Sequence, residues 1–221
     1  MGKIRILIAD DHAVVREGTR QILEQEDDLD VVAEASDGEQ AVRLTGDKKP
    51  DVAIIDIAMP RVDGIEATKQ IKALYPATAV LILSAYDDDQ FVFNLVEAGA
   101  AGYLLKSIRG RELVDAVRAV FNGESVLHPT IARKVLNRLA PASGEPREHK
   151  LVDMLSEREM EVLKLATQGL SNQSIASELY LSLRTVQAHL GHIFNKLQVS
   201  SRTEAVVRAL KEGWITLDDI P

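Results

Sequence analysis

The stretch Asp51-Val-Ala-Ile-Ile-Asp56-Ile-Ala-Met-Pro60 decides the fold of the first half of the chain. Its apolar run, Val52 to Ile55, is too short for a typical helix and rich in β-branched side chains, so it predicts a buried parallel strand. Asp56 follows that strand, and ligands of open α/β sheets bind beyond the carboxyl ends of the strands. Asp56 is therefore a candidate nucleophile for a phosphoryl group, unless it is an acid that merely ends a strand.

Outward from Asp56, strand and helix patterns alternate along the first half of the chain. Strands are predicted at residues 4–10, 31–35, 52–56, 79–85 and 102–106. Helices are predicted at residues 12–25, 38–46, 64–74, 89–98 and 110–121. Five strands interleaved with five helices indicate an α/β fold, in which a parallel sheet is wound on both faces.

Reactive side chains stand at the carboxyl ends of four of these strands. They are Asp10 and Asp11, Asp56, Ser84 with Ala85, and Lys106. The end of the second strand, Ala35-Ser36-Asp37, is left out of this set. Crowded carboxylates need a cation, and hard oxygen ligands suit Mg²⁺, which also lets an anionic phosphoryl group approach a carboxylate nucleophile. Lys106 and the Ser84 hydroxyl would bind phosphate oxygens, and the small Ala85 leaves them room.

Motifs across residues 3–122 resemble the receiver domain of two-component response regulators. They are Ala9-Asp10-Asp11-His12, Asp56-Ile-Ala-Met-Pro60, Asp63-Gly64, Leu83-Ser84-Ala85 and Gly99-Ala-Ala-Gly-Tyr-Leu-Leu-Lys106. The resemblance implies a flavodoxin-like fold with Asp56 as the phosphoacceptor from a sensor histidine kinase. It makes Asp10, Asp11 and the main-chain carbonyl of Ala58 further metal ligands. It also makes Ser84 and Lys106 switch residues, and Tyr103 the aromatic side chain that moves with Ser84.

Two kinds of enzyme are disfavoured by single positions. A phosphatase of the haloacid dehalogenase type needs a second Asp two residues after the nucleophile, and that position is Ala58. A nucleotide-binding enzyme would show a glycine-rich loop after the first strand, where this chain has Asp10-Asp11-His12. We therefore expect no enzymatic activity beyond slow autodephosphorylation.

The length of the chain allows one large domain or two small ones, and its composition predicts no membrane segment. The chain has 221 residues, 46% of them apolar, no cysteine and a net charge of −8. Disulfides and thiolate metal sites are therefore excluded. No stretch approaches the about 20 apolar residues of a membrane span, and the N-terminal apolar run is too short for a signal peptide. We expect a cytoplasmic protein with no membrane partner.

The chain changes character after residue 122. We predict a receiver domain at residues 1–122, a linker at residues 123–152 and a second domain at residues 153–221. A helix is expected within the linker at residues 130–139. The following run, Pro141-Ala-Ser-Gly-Glu-Pro-Arg-Glu-His-Lys150, contains two prolines and little apolar content, which is typical of a linker.

Four short helices are predicted in the last 70 residues. Ser156-Glu-Arg-Glu159 and Ser201-Arg-Thr-Glu204 are capping-box patterns that begin the first and the fourth. Only Tyr180-Leu-Ser182 separates the second from the third, which indicates a helix-turn-helix. With Gly169-Leu-Ser-Asn172, Thr185-Val186 and Lys196-Leu197, this all-α segment resembles the LuxR-type DNA-binding domain. The whole chain resembles a response regulator of the NarL/FixJ type.

The resemblance places the third helix in the major groove of double-stranded DNA. The expected DNA-binding residues are Ser182, Arg184, Thr185, Gln187, Ala188, His189, Gly191, His192, Lys196 and Arg202. Gln187 and Gly191 stand where lysine occurs in members of this family, so we expect a single domain to make few contacts to DNA phosphates. A dimer bound to paired half-sites would supply the missing affinity for DNA. The expected dimerisation residues are Ala205, Val206, Ala209 and Leu210, which could instead all be core.

The leading hypothesis is a transcription factor in which phosphorylation of Asp56 switches sequence-specific DNA binding. It would form a homodimer when phosphorylated, and RNA polymerase is a candidate partner. One alternative is a constitutive DNA-binding regulator whose receiver does not depend on phosphorylation. The other is an aspartyl-phosphate enzyme with a DNA-binding tail.

Overall fold

The computed structural model describes residues 2–85, 94–95, 97–127, 155–212 and 214–215. Its N-terminal domain contains a parallel sheet with the strands β1 (Ile4–Ala9), β2 (Leu29–Ala35), β3 (Val52–Ile55), β4 (Ala79–Ser84), β5 (Gly102–Leu105) and β6 (Val126–Leu127). The order of the strands in the sheet is β2-β1-β3-β4-β5-β6. The helices of this domain are α1 (Ala13–Leu23), α2 (Gly38–Lys48), α3 (Gly64–Leu74) and α4 (Gly110–Phe121). The predicted doubly wound α/β fold is confirmed.

The central strand β3 is buried on both faces of the sheet. Ala53 and Ile55 belong to one apolar cluster, and Val52 and Ile54 belong to the cluster on the opposite face. Each side chain of β3 therefore has an apolar environment, whichever way it points. This is the physical reason for an unbroken apolar run instead of the alternation seen in a half-exposed strand.

The predicted element boundaries agree with the described helices and strands to within two residues. The sheet has a sixth strand, β6, within the predicted linker, because Val126 and Leu127 pair with Gly102 and Tyr103. The boundary of the linker at residue 123 stays a prediction, with this short strand inside it. The rest of the predicted linker, including the helix at 130–139, and most of the predicted helix at 89–98 lie outside the described residues.

The C-terminal domain is all-α. Its helices are α5 (Glu157–Thr167), α6 (Asn172–Glu178), α7 (Leu183–Leu197) and α8 (Arg202–Lys211). Apolar side chains from all four helices form one buried cluster, which includes Val162, Ile175, Ile193 and Ala205. The capping box of Ser156 and Glu159 is formed. At α8 only half of the box is formed, because Glu204 accepts from the amide of Ser200.

Among the described helices, none combines the length and the apolar character that a membrane crossing would require.

The start of α8 contacts the receiver near the amino end of β5. The Ser201 hydroxyl donates to the carbonyl of Ala100 at 3.2 Å, and the Thr203 hydroxyl donates to the carbonyl of Ala101 at 3.0 Å. Val207, one turn further along α8, is buried in the receiver cluster that also contains Leu95 and Ala100. The receiver therefore covers one side of α8.

A second contact joins α6 to the segment that follows α4. The main-chain amide of Asn172 donates to the carboxylate of Glu124 at 3.1 Å. The side-chain amide of Asn172 donates to the carbonyl of Asn122 at 2.6 Å. The same side chain accepts from the buried guanidinium of Arg202 at 3.1 Å. This contact links the start of α8 with the start of α6 and with the receiver.

The end of α7 offers a direct test of backbone strain. Gln198 is left-handed there, with φ 51°, a conformation that costs side-chain-bearing residues about 1 kcal/mol and suits glycine. We expect Gln198→Gly to raise the unfolding free energy by about 0.5–1 kcal/mol. Gln198→Ala is the matched control, since it removes the same side chain and keeps the strain. An equal gain in both variants, measured by urea unfolding, would refute the explanation.

Candidate functional site

The sheet brings the predicted site residues to one edge. Strands β1, β3, β4 and β5 are neighbours, so their carboxyl ends are adjacent. Asp10 follows β1, Asp56 follows β3, Ser84 ends β4 and Lys106 follows β5. The amide of Asp56 donates to the carbonyl of Ala9 at 2.8 Å, which continues the pairing of β3 with β1 up to the site.

Lys106 is the cation of this site. Its Nζ lies 2.6 Å from Oδ2 of Asp10 and 3.2 Å from Oδ2 of Asp56. Burial lowers the pKa of Lys106, but these two carboxylates outweigh that effect and raise the pKa above its usual value. Burial raises the pKa of Asp56, Lys106 opposes this shift and Asp10 adds to it. The lysine therefore stays charged while it offsets only part of the negative charge.

The Asp56 carboxylate retains an unused oxygen. Asp56 is only 3% exposed, and among the residues that the structure describes its Oδ1 is buried without a hydrogen-bond partner. Ligand oxygens or nitrogens of Asp10, Asp11, His12 and Asp56 all lie within 4.8 Å of one another. Buried polar atoms normally have partners, so a free carboxylate oxygen in such a cluster fits a divalent cation with hard oxygen ligands.

His12 contacts both acids that follow β1. Its Nδ1 lies 2.6 Å from Oδ1 of Asp11, and its amide donates to Oδ1 of Asp10 at 2.9 Å. The ring is exposed, and its amide hydrogen bond holds the first acid in place at the start of α1.

The predicted switch residues occupy the same edge and the core beneath it. Ser84 is fully buried and Ala85 is exposed. Tyr103 lies in β5 and is 1% exposed, within the apolar cluster that also holds Val207 of α8. The tyrosine is therefore packed inward, on the side of the sheet where α8 contacts the receiver.

The proposed DNA-reading helix α7 begins at a well-formed cap. The Ser182 side chain accepts from the amide of Thr185, and the two hydroxyls lie 2.7 Å apart. Exposed side chains along this helix include Arg184, Gln187, Ala188, His192 and Lys196, and Thr185, His189 and Gly191 are partly buried. A Cβ on Gly191 would meet open space, so packing does not require glycine there.

Arg202 corrects the predicted list of DNA contacts. It is 4% exposed, and its guanidinium donates to the carbonyls of Ala166 and Leu170 as well as to Asn172. Burial lowers its pKa to about 10. A guanidinium enclosed by its own domain cannot reach a phosphate without losing these bonds, so we assign Arg202 a structural role.

Lys196 is also engaged within the domain. Its Nζ lies 2.7 Å from the buried carboxylate of Glu159, in the capping box of α5. Burial raises the pKa of Glu159, but Lys196 and Ser156 outweigh that effect and lower it to about 2. Lys196 is partly exposed, so a phosphate contact there competes with this ion pair.

The predicted dimerisation face on α8 is partly covered by its own domain. Ala205 and Ala209 are fully buried in the core of the C-terminal domain. Val206 and Leu210 are partly buried. The spacing of apolar residues on α8 could not separate the side that faces the core from the side that faces outward, because both sides carry small aliphatic residues.

Two contacts of the structure are not predicted by the sequence patterns. Asp37, which was left out of the site, is buried and forms an ion pair with Arg61 in the loop after β3. Asn172 joins the two domains. Asp37 before Gly38 does carry a helix-capping pattern, but its pairing with a residue 24 positions away has no local signal.

A receiver-like sheet and a helix-turn-helix in one chain define a DNA-binding regulatory protein. Residues 6–118 match the family described as the response regulator receiver domain. Residues 153–209 match the family described as bacterial regulatory proteins of the LuxR family.

Known proteins share this arrangement over their whole length. The transcriptional regulatory protein LiaR of Bacillus subtilis is 42% identical over 206 residues, covering 93% of this chain and 96% of LiaR. The response regulator ChrA of a haem-sensing two-component system has a crystal structure with 43% identity and a TM-score of 0.53, covering 97% of this chain and 100% of ChrA. A structure of RcsB dimers bound to DNA is 26% identical with a TM-score of 0.57, covering 96% of this chain and 99% of RcsB. This chain therefore belongs to the two-component response regulators that bind DNA and regulate transcription.

The unused oxygen of Asp56 predicts a measurable stability change. Because burial raises the pKa of Asp56, its ionised form lowers the folding stability at pH 7, and stability is regained as the pH falls through the folded-state pKa. We expect Asp56→Asn to raise the unfolding free energy in EDTA by about 1 kcal/mol. Added Mg²⁺ should stabilise the wild type more than the variant. Asp30→Asn, at an exposed strand position, should change neither quantity. An Asp56→Asn variant that is less stable in EDTA would contradict this electrostatic interpretation.

Proposed function

We propose that phosphorylation of Asp56 switches the DNA binding of this response regulator. The observation that carries the proposal is the buried Oδ1 of Asp56, which has no hydrogen-bond partner among the described residues, in a carboxylate beside Lys106 and Asp10. An Asp56 oxygen attacks the phosphorus of a phosphohistidine on a sensor kinase. The new O–P bond forms as the P–N bond breaks, and the imidazole leaves with the electron pair.

The charges around Asp56 support this transfer. Asp10, Asp11, Asp56 and the carbonyl of Ala58 would hold Mg²⁺, which supplies the positive charge that a phosphoryl group needs to approach a carboxylate. Lys106, which contacts Asp56 at 3.2 Å, would turn to an oxygen of the bound phosphoryl group. The Ser84 hydroxyl would donate to another oxygen, and Ala85 leaves space at the mouth of the site. Slow hydrolysis of the aspartyl phosphate would end the signal.

The DNA-binding surface that we propose is the exposed side of α7. Arg184, Gln187 and His192 project from this helix into solvent, and Ser182, Thr185, Ala188, His189 and Gly191 complete the face. Gln187 has the donor and acceptor pair that adenine presents in the major groove. Lys196 would contribute a phosphate contact when it leaves Glu159. The DNA-bound dimers of RcsB support binding as a homodimer. We further propose that the dimer binds paired half-sites and that RNA polymerase is a partner.

The contact between α8 and the receiver supplies a means of switching. Val207 is buried in the cluster that contains Tyr103, and Tyr103 lies in the strand that ends at Lys106. A phosphoryl group that draws Ser84 and Lys106 toward it would shift β5 and alter the surface on which α8 rests. Release of α8 would expose Val207 and leave the C-terminal domain free to pair with a second copy on DNA.

The phosphoacceptor is tested by DNA binding with and without a phosphoryl donor. The duplex is one selected from a random pool by the chain treated with Mg²⁺ and acetyl phosphate. We expect the donor to tighten wild-type binding about tenfold or more, and to leave Asp56→Asn unchanged, because the coupling between two sites typically spans this range. DNA binding is measured by fluorescence anisotropy at a fixed salt concentration. The extent of phosphorylation is measured by mass spectrometry of the intact chain.

Asp30→Asn serves as the charge-matched control and should respond to the donor like the wild type. Tight wild-type binding that is insensitive to the donor would indicate a constitutive regulator instead. Release of phosphate at many turnovers per minute would indicate an enzyme.

The switching contact is tested at Val207, which packs on the receiver and not in the core of its own domain. Val207→Ser should weaken that contact and raise the DNA affinity of the unphosphorylated chain about tenfold. Faster hydrogen exchange at the main-chain amide of Asn172 should accompany the change, since this amide donates to Glu124 across the contact between the two domains. Val206→Ser, on the same helix, is the control and should neither speed this exchange nor strengthen DNA binding. Unchanged DNA affinity together with faster exchange at Asn172 would rule out α8 as the switch.

A further inference from the structure

We propose that the ion pair of Asp37 and Arg61 positions the Ala58 carbonyl for the metal site of the receiver. This inference rests on the proposed function, because the ion concerned is the Mg²⁺ assigned to Asp10, Asp11 and Asp56. Asp37 and Arg61 are positioning residues that act through the β3–α3 loop, defined as residues 57–63. That loop carries Ala58 near one end and Arg61 near the other.

The end of the β3–α3 loop near the metal site is fixed by main-chain contacts. The amides of Met59 and Gly64 both donate to the carbonyl of Ile57, at 3.1 and 2.9 Å. A Cβ on Gly64 would lie 2.2 Å from the carbonyl oxygen of Asp56, so the two ends of the loop approach too closely for any other residue. Ala58 lies between these fixed points, but it is exposed and has no buried side chain of its own to hold it.

The far end of the loop is fixed to the start of α2. The amide of Gly38 donates to the carbonyl of Val62 at 3.1 Å, and a Cβ on Gly38 would lie 2.3 Å from that oxygen. Beside it, Arg61 donates to the carboxylate of Asp37. Asp37 is itself held rigidly, since it is fully buried and accepts from the amide and side chain of Gln40 at 2.9 and 2.6 Å. The loop is thus joined to a fixed point of the sheet edge.

The backbone of Arg61 indicates that its side chain is needed. Arg61 has φ 65°, a left-handed conformation that glycine adopts without strain and that costs an arginine about 1 kcal/mol. The bond to a buried carboxylate offsets that cost and holds the strained conformation in place. A loop fixed in this way presents the Ala58 carbonyl in one orientation before the ion binds, which lowers the entropy lost on binding.

The positive charge of Arg61 allows a positioning role to be distinguished from a direct electrostatic effect on Mg²⁺ binding. A positive charge near a cation site repels the cation, so its removal alone would tighten Mg²⁺ binding. Loss of positioning would weaken Mg²⁺ binding instead. The two explanations therefore predict opposite signs for the same substitution.

The test is Mg²⁺ titration calorimetry on the unphosphorylated full-length chain, with thermal unfolding in EDTA recorded in parallel. Arg61→Gly, which removes both the charge and the backbone strain, should weaken Mg²⁺ binding about tenfold, as for residues that orient metal ligands. Its unfolding midpoint in EDTA should equal or exceed that of the wild type, so a general loss of folding cannot explain the result. Arg61→Gln should also weaken binding, and Arg61→Lys should restore most of it.

Arg43→Gln is the matched control, because Arg43 is an exposed arginine on α2 and the substitution removes the same charge. It should leave Mg²⁺ binding unchanged or slightly tighter. If Arg61→Gly binds Mg²⁺ as tightly as the wild type or more tightly, the positioning role is overturned while the metal site stands. If the wild type itself binds no Mg²⁺, the metal site of the proposed function is overturned as well.

Discussion

The close approach of Asp10, Asp56 and Lys106 is the constraint on which the rest of the structure depends. Two carboxylates cannot share a buried sheet edge without a cation, and the lysine ammonium lies within 3.2 Å of both. The residues come from three strands, so only a sheet with β1, β3 and β5 in parallel can assemble them. Because the lysine offsets only part of this charge, the edge suits a second cation and an incoming phosphoryl group.

Strand β5 connects this edge to the C-terminal domain. Lys106 follows its carboxyl end, and Ala101, whose carbonyl accepts from Thr203, precedes its amino end. Tyr103 lies between them in the cluster that holds Val207. A strand of four residues spans about 13 Å, so a small shift at the site reaches α8 through one rigid element. The buried Arg202 and Asn172 extend the same contact to α6.

The sequence predicted what repeats along the chain or stands at the end of a pattern. The apolar run of β3, the acids after β1 and β3 and the lysine after β5 could be placed together, because parallel strands end at the same edge. The capping residues Ser156 and Ser182 likewise predicted the starts of their helices. The sequence could not predict the roles of Arg202 and Asp37 or the presence of β6 in the sheet, since each depends on a partner far away in the chain. For an arginine beside a recognition helix, sequence alone does not distinguish a phosphate contact from a buried carbonyl contact.

Taken by itself, the sequence determined the doubly wound α/β domain, the helix-turn-helix and the identity of the acidic site. These follow from periodicity, capping and strand ends, which are local properties of the chain. Only the tertiary structure decided which face of α8 is covered, where Arg202 points and what holds the loop after Asp56. Those outcomes depend on packing and ion pairs between distant segments. The stretch from Asp51 to Pro60 thus marks where the site lies, and the ion pair of Asp37 with Arg61 holds the far end of the loop that follows β3.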